Sequence, residues 1–470
     1  MRPVGAGGSA ALPFFPDSSI SFSQLFEPQR PHAMSLTIPT IKFTPHKVLP
    51  ELERFLARPP VDAAAEETAR RVLDDIRRNG DKAVRKYTKE FNRADLPPGR
   101  FAVSREEQLA ASGQVDLAFK RTASEIFARI VRFGRAGMRK DWSMASPKGG
   151  VLGEKFTPLE RIGAYIPGGA APLVSTALMS VTLAKVAGVP EIVACTPSDS
   201  KGRVDPFLLH ALEVAGATEI YRIGGIQAIG AMAFGTSTIR KVQKIVGPGG
   251  PYVTAAKKLV YGDVDLDMVA GPSEIAVLAD ETAVPAHVAA DLLSQLEHGT
   301  GHEKALLVTP LMAMAAKVQA EMERQMASLS RRDAIEKAAA EGALFVVVDH
   351  LDTGMDLINR FAPEHFEIMT KEPRRWLQKV RNAGAVFVGG WTPECAGDFV
   401  AGPSHVLPTG GTAAYFSGLT VDSFRKRTSV VAFTRADLLE TLPLIEAMGR
   451  VEGLDSHSRS ASIRFDAPPG

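Results

Sequence analysis

A scattered set of polar side chains in the second half of the sequence has the chemistry to bind a metal ion or carry a proton: Gln295, His298, Glu364, His365, Asp398, His405 and His457. They occur in the segments DLLSQLEHG, FAPEHFE, ECAGDFVAGPSHVLPTGG and RVEGLDSH. Nitrogen and oxygen donors without a cysteine cluster suit zinc or a similar divalent cation. The adjacent Glu364 and His365 supply a base and a second proton acceptor at one point. Gln295 and His298 lie three residues apart near the end of an expected helix, so they share one face. Taken alone, that pair reads as an ordinary solvated helix end. Pro363 stops the helix before Glu364 and should leave the Glu-His pair on a loop emerging from a rigid element. Asp398 and His405 frame a turn rich in glycine and proline. His457 follows the C-terminal helix, so joining the other donors requires the tail to fold back over the site or to cross to a partner subunit. Each group is bland by itself, but the combination points to a metal-assisted enzyme.

The elements that must position these groups change character along the chain. From about residue 50 to 140, apolar residues recur at three- and four-residue intervals, the spacing of amphipathic helices. After Arg161, short β-rich runs such as IGAYIPGG, EIVACTP and EIYRIGG alternate with helical ones. That alternation predicts α/β architecture, with parallel sheets covered by helices. It resumes after a seam near Ala270-Gly271-Pro272, giving two successive α/β units. LLETLPLIEAMGRVEGL near the C-terminus reads as a separate small helical element. Glycine clusters follow several strands: Gly168-Gly169, Gly224-Gly225 and the run from Gly247 to Gly250. Open α/β sheets bind ligands at the carboxyl ends of their strands, where glycine admits close approach. None of the clusters forms a complete G-x-G-x-x-G fingerprint, so the dinucleotide signal from glycine alone is weak and a tight-turn role without a cofactor is the preferred reading.

Composition narrows the class. At 470 residues, 45% apolar and 23% charged, the chain has the profile of a soluble multidomain globular protein. A formal charge of +2 gives no electrostatic case for nucleic acid or an anionic membrane. No apolar run approaches the ~20 residues of a membrane span. The two cysteines, Cys195 and Cys395, cannot build a disulfide framework and fit a cytoplasmic location. Cys395 stands three residues before Asp398. With no second cysteine beside it, it is expected to be a buried apolar residue. Residues 1–33, rich in Pro, Ser, Gly and Ala, are expected to be a disordered extension, with Met34 an alternative start.

At this point a resemblance enters. The segments AYIPGGAAPLVSTALM, IGGIQAIGAMAFGT, KIVGPGG, DMVAGPSEIAVLAD, ADLLSQLEHG, APEHFEI, GDFVAGPSHVLPTGGTA and VEGLDSH, in this order, are similar to those of the histidinol dehydrogenases. The resemblance runs from about residue 60 to 465. It implies zinc on Gln295, His298, Asp398 and His457, and proton transfer by Glu364 and His365. It implies substrate contacts from Ser175, Ser273, His405 and Glu452, with Gln295, His298, His365, Asp398 and His457 also touching substrate. NAD would meet Tyr165 and Gln227, with Gly250 at a third cofactor position.

The implied fold is two incomplete Rossmann-like domains with small terminal elements. Its expected boundaries are a small N-terminal element at 34–59, a first Rossmann-like domain from 60–167 and 272–417, a second at 168–271, and a C-terminal dimerisation element at 418–470. The implied assembly is a homodimer in which that last element is exchanged between subunits. The implied reaction is a four-electron oxidation of L-histidinol to L-histidine through a held aldehyde. Three positions depart from the family pattern: Gly250 and Ser404 replace asparagines, and Ala414 replaces a frequent arginine. These departures keep open a related dehydrogenase of another small polar alcohol. A zinc hydrolase would use the same ligands with Glu364 as base, but leaves Tyr165, Gln227 and the glycine-ended strands without a role. A catalytically silent scaffold would have no need of the intact Glu364-His365 pair.

Overall fold

Strand–helix alternation resolves into strands β1 (Thr40–Phe43), β2 (Trp142–Ala145), β3 (Val151–Pro158), β4 (Arg161–Tyr165), β5 (Glu191–Cys195), β6 (Glu219–Tyr221) and β7 (Lys244–Val246). They are followed by β8 (Asp265–Leu266), β9 (Glu274–Ala279), β10 (Lys304–Thr309), β11 (Ala343–Val348), β12 (His365–Met369), β13 (Ala385–Val388) and β14 (Arg425–Ala432). The computed structural model describes residues 36–466 apart from 46, 58–61, 169–171 and 270, so the expected extension at 1–33 lies outside the described residues.

Two parallel sheets share one winding. In the six-stranded sheet the order is β1-β11-β10-β9-β12-β13. The chain runs outward from β9 to β10 and β11, then returns to lay β12 on the other side of β9. The five-stranded sheet, β6-β5-β4-β7-β8, repeats this scheme around β4. Helices cover both faces, which is why the strands read as continuous apolar runs rather than alternating ones. In β9, Ile275, Val277 and Ala279 enter one core while Ala276 and Leu278 enter the other. Each fully buried branched side chain contributes about 1.5–3 kcal/mol. The third sheet, β14-β3-β2, is antiparallel and joins residues 425–432 to 151–158 along eight registered pairs.

The observed pairing redraws the expected domains. Residues 60–167 were expected to belong with 272–417. Instead β4 is the central strand of the five-stranded sheet, paired with β5 and β7. The helix Ala63–Asn79, capped by Asp62 on the N–H groups of Ala64 and Ala65, buries Ala69, Val72 and Ile76 in one core with Val193, Ile229 and Ile245 of that sheet's layer. The helix Leu117–Gly137 shares a second core with the helix Val174–Ala187. An amphipathic stripe says that a helix covers something, not which sheet it covers. Residues 34–59 are likewise no separate element in full, because β1 extends the six-stranded sheet beside β11. Residue 271 falls between β8 and β9.

The two sheets present opposite ends to the region between them. The six-stranded sheet offers amino ends, with Glu274 opening β9 and His365 opening β12. The five-stranded sheet offers carboxyl ends, at Tyr165 and Gly247. The loop 400–411 bridges the two: Gly411 N–H donates to Glu274 Oε2 at 3.0 Å, and Thr176 Oγ1 meets His405 Nε2 at 3.3 Å. No helix among the described residues is long and apolar enough to cross a membrane.

Candidate active site

His365 is the hub. It is 2% exposed and opens β12, so the base stands on a strand end rather than on the expected loop. Glu364 occupies the break before it, where Ala362 adopts a left-handed φ of 52° to end the helix Leu351–Phe361. His365 Nδ1 lies 2.8 Å from Gln295 Oε1, and an oxygen acceptor there requires the proton on Nδ1. Nε2 then faces Asp398 Oδ1 at 3.5 Å and Glu394 Oε1 at 3.8 Å. Gln295 is fully buried in the helix Pro285–Leu296, and its Nε2 is 3.3 Å from His298 Nδ1, so the i, i+3 pair forms as expected.

Burial and neighbouring charge shift the proton affinities of this cluster. Burial pushes the Glu364 carboxyl up to about 7, with Asp398 adding to the rise and the His365 cation opposing it. The Glu364 Oε2 accepts the Glu274 N–H at 3.2 Å. Burial works against charge on His365 as well. The carboxylates of Glu364, Asp398 and Glu394 outweigh it, and the pKa is raised to about 9. For Asp398, burial is outweighed by the hydrogen bond and charge of His365, and its pKa falls. His405, half-buried between the sheets, is driven toward the neutral form by desolvation.

Glu394 is the residue that sequence reasoning missed. It is 2% exposed, accepts Ser294 Oγ–H at 3.0 Å, and is raised to about 8 mainly by burial. Its backbone N–H donates to Glu367 Oε1 at 2.8 Å. Its spacing to Asp398 across one helical turn was the available signal. Among the described residues, His365, Glu394 and Asp398 are the group of His, Cys, Asp and Glu whose ligand atoms fall within 4.8 Å of one another. His298 and His457 are not in that group.

The tail does not join the site within one chain. Glu452 ends the helix Arg435–Glu452 and His457 lies in the helix Asp455–Asp466, both exposed. Cys395, expected to be buried, is an exposed free thiol, because Glu394 and Asp398 take the inward face of its short helix. Cys195 is buried and unpaired. Ser175 is half-buried in the first turn of the helix Val174–Ala187, next to Thr176, and Ser273 is half-buried just before β9.

Across the gap, Tyr165 and Gln227 stand together. Tyr165 Oη accepts the Gly225 N–H at 3.1 Å, and burial raises its pKa to about 12. Gln227 is fully buried and donates from Nε2 to Asn92 Oδ1 at 2.7 Å, while its Oε1 has no hydrogen-bond partner. Gly250 caps the helix Pro251–Val260 with no side chain, and a Cβ there would meet nothing within 4 Å. Ser404 turns its hydroxyl to the Val406 N–H at 3.1 Å, so that departure is absorbed within its own loop. Ala414 is exposed.

The family model for histidinol dehydrogenase matches residues 57–465. The chain is 46% identical over 408 residues to the histidinol dehydrogenase of Heliobacterium mobile, covering 86% of this chain and 95% of that relative. It is 44% identical over 417 residues to that of Gloeobacter violaceus, covering 88% and 94%. The crystal structure of histidinol dehydrogenase from Elizabethkingia anophelis superposes with a TM-score of 0.87 at 36% identity, covering 91% of this chain and 98% of that one. With a family model matching most of its length and relatives at 44–46% identity, the chain belongs to the histidinol dehydrogenase family, the oxidoreductases that act on histidinol in histidine biosynthesis.

Proposed function

We propose that the chain oxidises L-histidinol to L-histidine in two successive hydride transfers to NAD, with zinc in the site. The observation that carries this reading is the buried Glu364-His365 pair at the amino end of β12, held between Gln295 and Asp398. Gln295, His298 and Asp398 offer the oxygen and nitrogen donors that a borderline cation takes. The Gln227 Oε1, buried without a partner, is an acceptor suited to a donor on NAD. When bound, zinc would fix the imidazole and amine of the substrate, and NAD would accept the hydrides.

The protein groups divide the remaining work. Nδ1 of His365 is committed to Gln295, so Nε2 is the atom that takes the hydroxyl proton. An Asp398 turned toward a cation stabilises the imidazolium less, which releases His365 to act as a base. Glu364, poised near 7, then removes a proton from the water that hydrates the aldehyde. The burial of both groups excludes other water from the held intermediate.

The fourth zinc donor would come from a neighbouring copy. Leu444, Met448, Val451 and Leu454, exposed beside His457, give the C-terminal helices an apolar face suited to an exchanged homodimer. Two unbridged thiols fit work in the cytoplasm.

The test is a substrate screen read by NADH formation. Zinc-loaded protein should yield about two NADH per histidinol, and chelation should stop it. Turnover with another polar alcohol but none with histidinol would remove the specific assignment.

A further inference from the structure

Gly247 stands where β7 gives way to its glycine-rich loop, and a buried ion pair holds its backbone on both sides. Its N–H donates to Asp267 Oδ2 at 2.7 Å, and its carbonyl accepts from Lys257 Nζ at 2.8 Å. Lys257 and Asp267 meet each other at 2.5 Å with side chains 3% and 1% exposed. Asp267 Oδ1 also takes the Met268 N–H at 2.6 Å. One point therefore ties together the loop after β7, the helix Pro251–Val260 and the chain leaving β8.

The ladder cannot do this job. Pairing of β4 with β7 ends at Ala164 and Val246, one residue short of Gly247. Gly247 has a φ of 112°, and a Cβ there would lie 2.1 Å from the Tyr165 carbonyl oxygen. The loop is thus pressed against the end of β4, where the winding of the sheet reverses and where Tyr165 and Gly250 flank it. A buried ion pair is a poor source of stability, because desolvating both charges offsets their attraction. Val253, Ala256 and Val260 already seat the same helix in the core. What apolar residues cannot do is grip a peptide N–H and its carbonyl together.

The structure assigns the Lys257–Asp267 pair as a positioning device that fixes the Gly247–Gly250 loop against Tyr165 for binding of the nicotinamide dinucleotide. This rests on NAD being the hydride acceptor. The test uses zinc-loaded enzyme, with NADH binding by fluorescence titration and steady-state kinetics on histidinol. Lys257→Met/Asp267→Leu removes both charges so that neither is left orphaned, and Lys257→Met/Asp267→Asn, also without an orphaned charge, keeps the Asp267 side-chain shape if that double variant does not fold. The dissociation constant for NADH and the KM for NAD should rise about tenfold, with the KM for histidinol and the zinc content unchanged. A folded variant with wild-type NADH affinity would overturn the assignment. So would a parallel rise in both KM values that tracks a lowered melting temperature, since that marks a purely structural pair. Wild-type protein that binds no NADH would instead remove the cofactor reading beneath it.

Discussion

Glu364 allows the most direct test, because its surroundings set the pH at which aldehyde oxidation should switch on. Burial raises its carboxyl from the ordinary 4.5 to about 7. As a base it works only when ionised, and from about one pH unit below that value to one above, the ionised fraction rises roughly tenfold. An ordinary glutamate would be ionised throughout and give a flat profile. The assay supplies histidinaldehyde and NAD to zinc-loaded enzyme and follows kcat/KM against pH. Glu364→Gln should lower this half-reaction by ~10²–10⁴-fold and abolish the acid limb.

The same shift has a stability signature with a defined sign. The folded state holds this proton more tightly than the unfolded chain, so its contribution to stability falls as pH rises from 4.5 to about 7. The full cost above that window is about 3 kcal/mol. Metal-free Glu364→Gln protein should therefore gain thermal stability over wild type at about pH 8 and show no such gain at about pH 4. An acid limb below about pH 5, or one that persists in the variant, would refute the reasoning.

Two further substitutions separate the roles. His365→Asn should lose the first hydride transfer by ~10²–10⁴-fold while sparing oxidation of supplied aldehyde, measured by rapid-quench sampling of each half-reaction. If both halves fall equally, the division between Glu364 and His365 is wrong. Gly250→Asn adds a side chain where a Cβ meets nothing, and one new hydrogen bond should tighten NADH binding by roughly 2- to 10-fold in a calorimetric titration. Unchanged affinity would show that this position does not face the cofactor.

The local pairings at the site were legible because they depend on residue type and short spacing. Gln295 and His298 meet as a helical i, i+3 pair requires, and Glu364 and His365 are neighbours wherever the chain goes. Glu394 escaped notice because a glutamate one turn before Asp398 looks like a solvated helix residue until its 2% exposure is known. The domain boundaries failed for a related reason. The stripe on Ala63–Asn79 shows that it buries a face, but only the pairing of β4 with β5 and β7 shows which sheet lies under it.

The sequence by itself determined the α/β class, the parallel strands and the adjacency of Glu364 and His365, since hydrophobic period and chain neighbourhood are local properties. Tertiary structure alone decided that one sheet offers amino ends and the other carboxyl ends to the same region. It also buried Glu364 and His365 deeply enough to move their proton affinities, and it clamped Gly247 between Lys257 and Asp267. Desolvation and long-range pairing depend on what the rest of the chain brings alongside, and no local pattern carries that information.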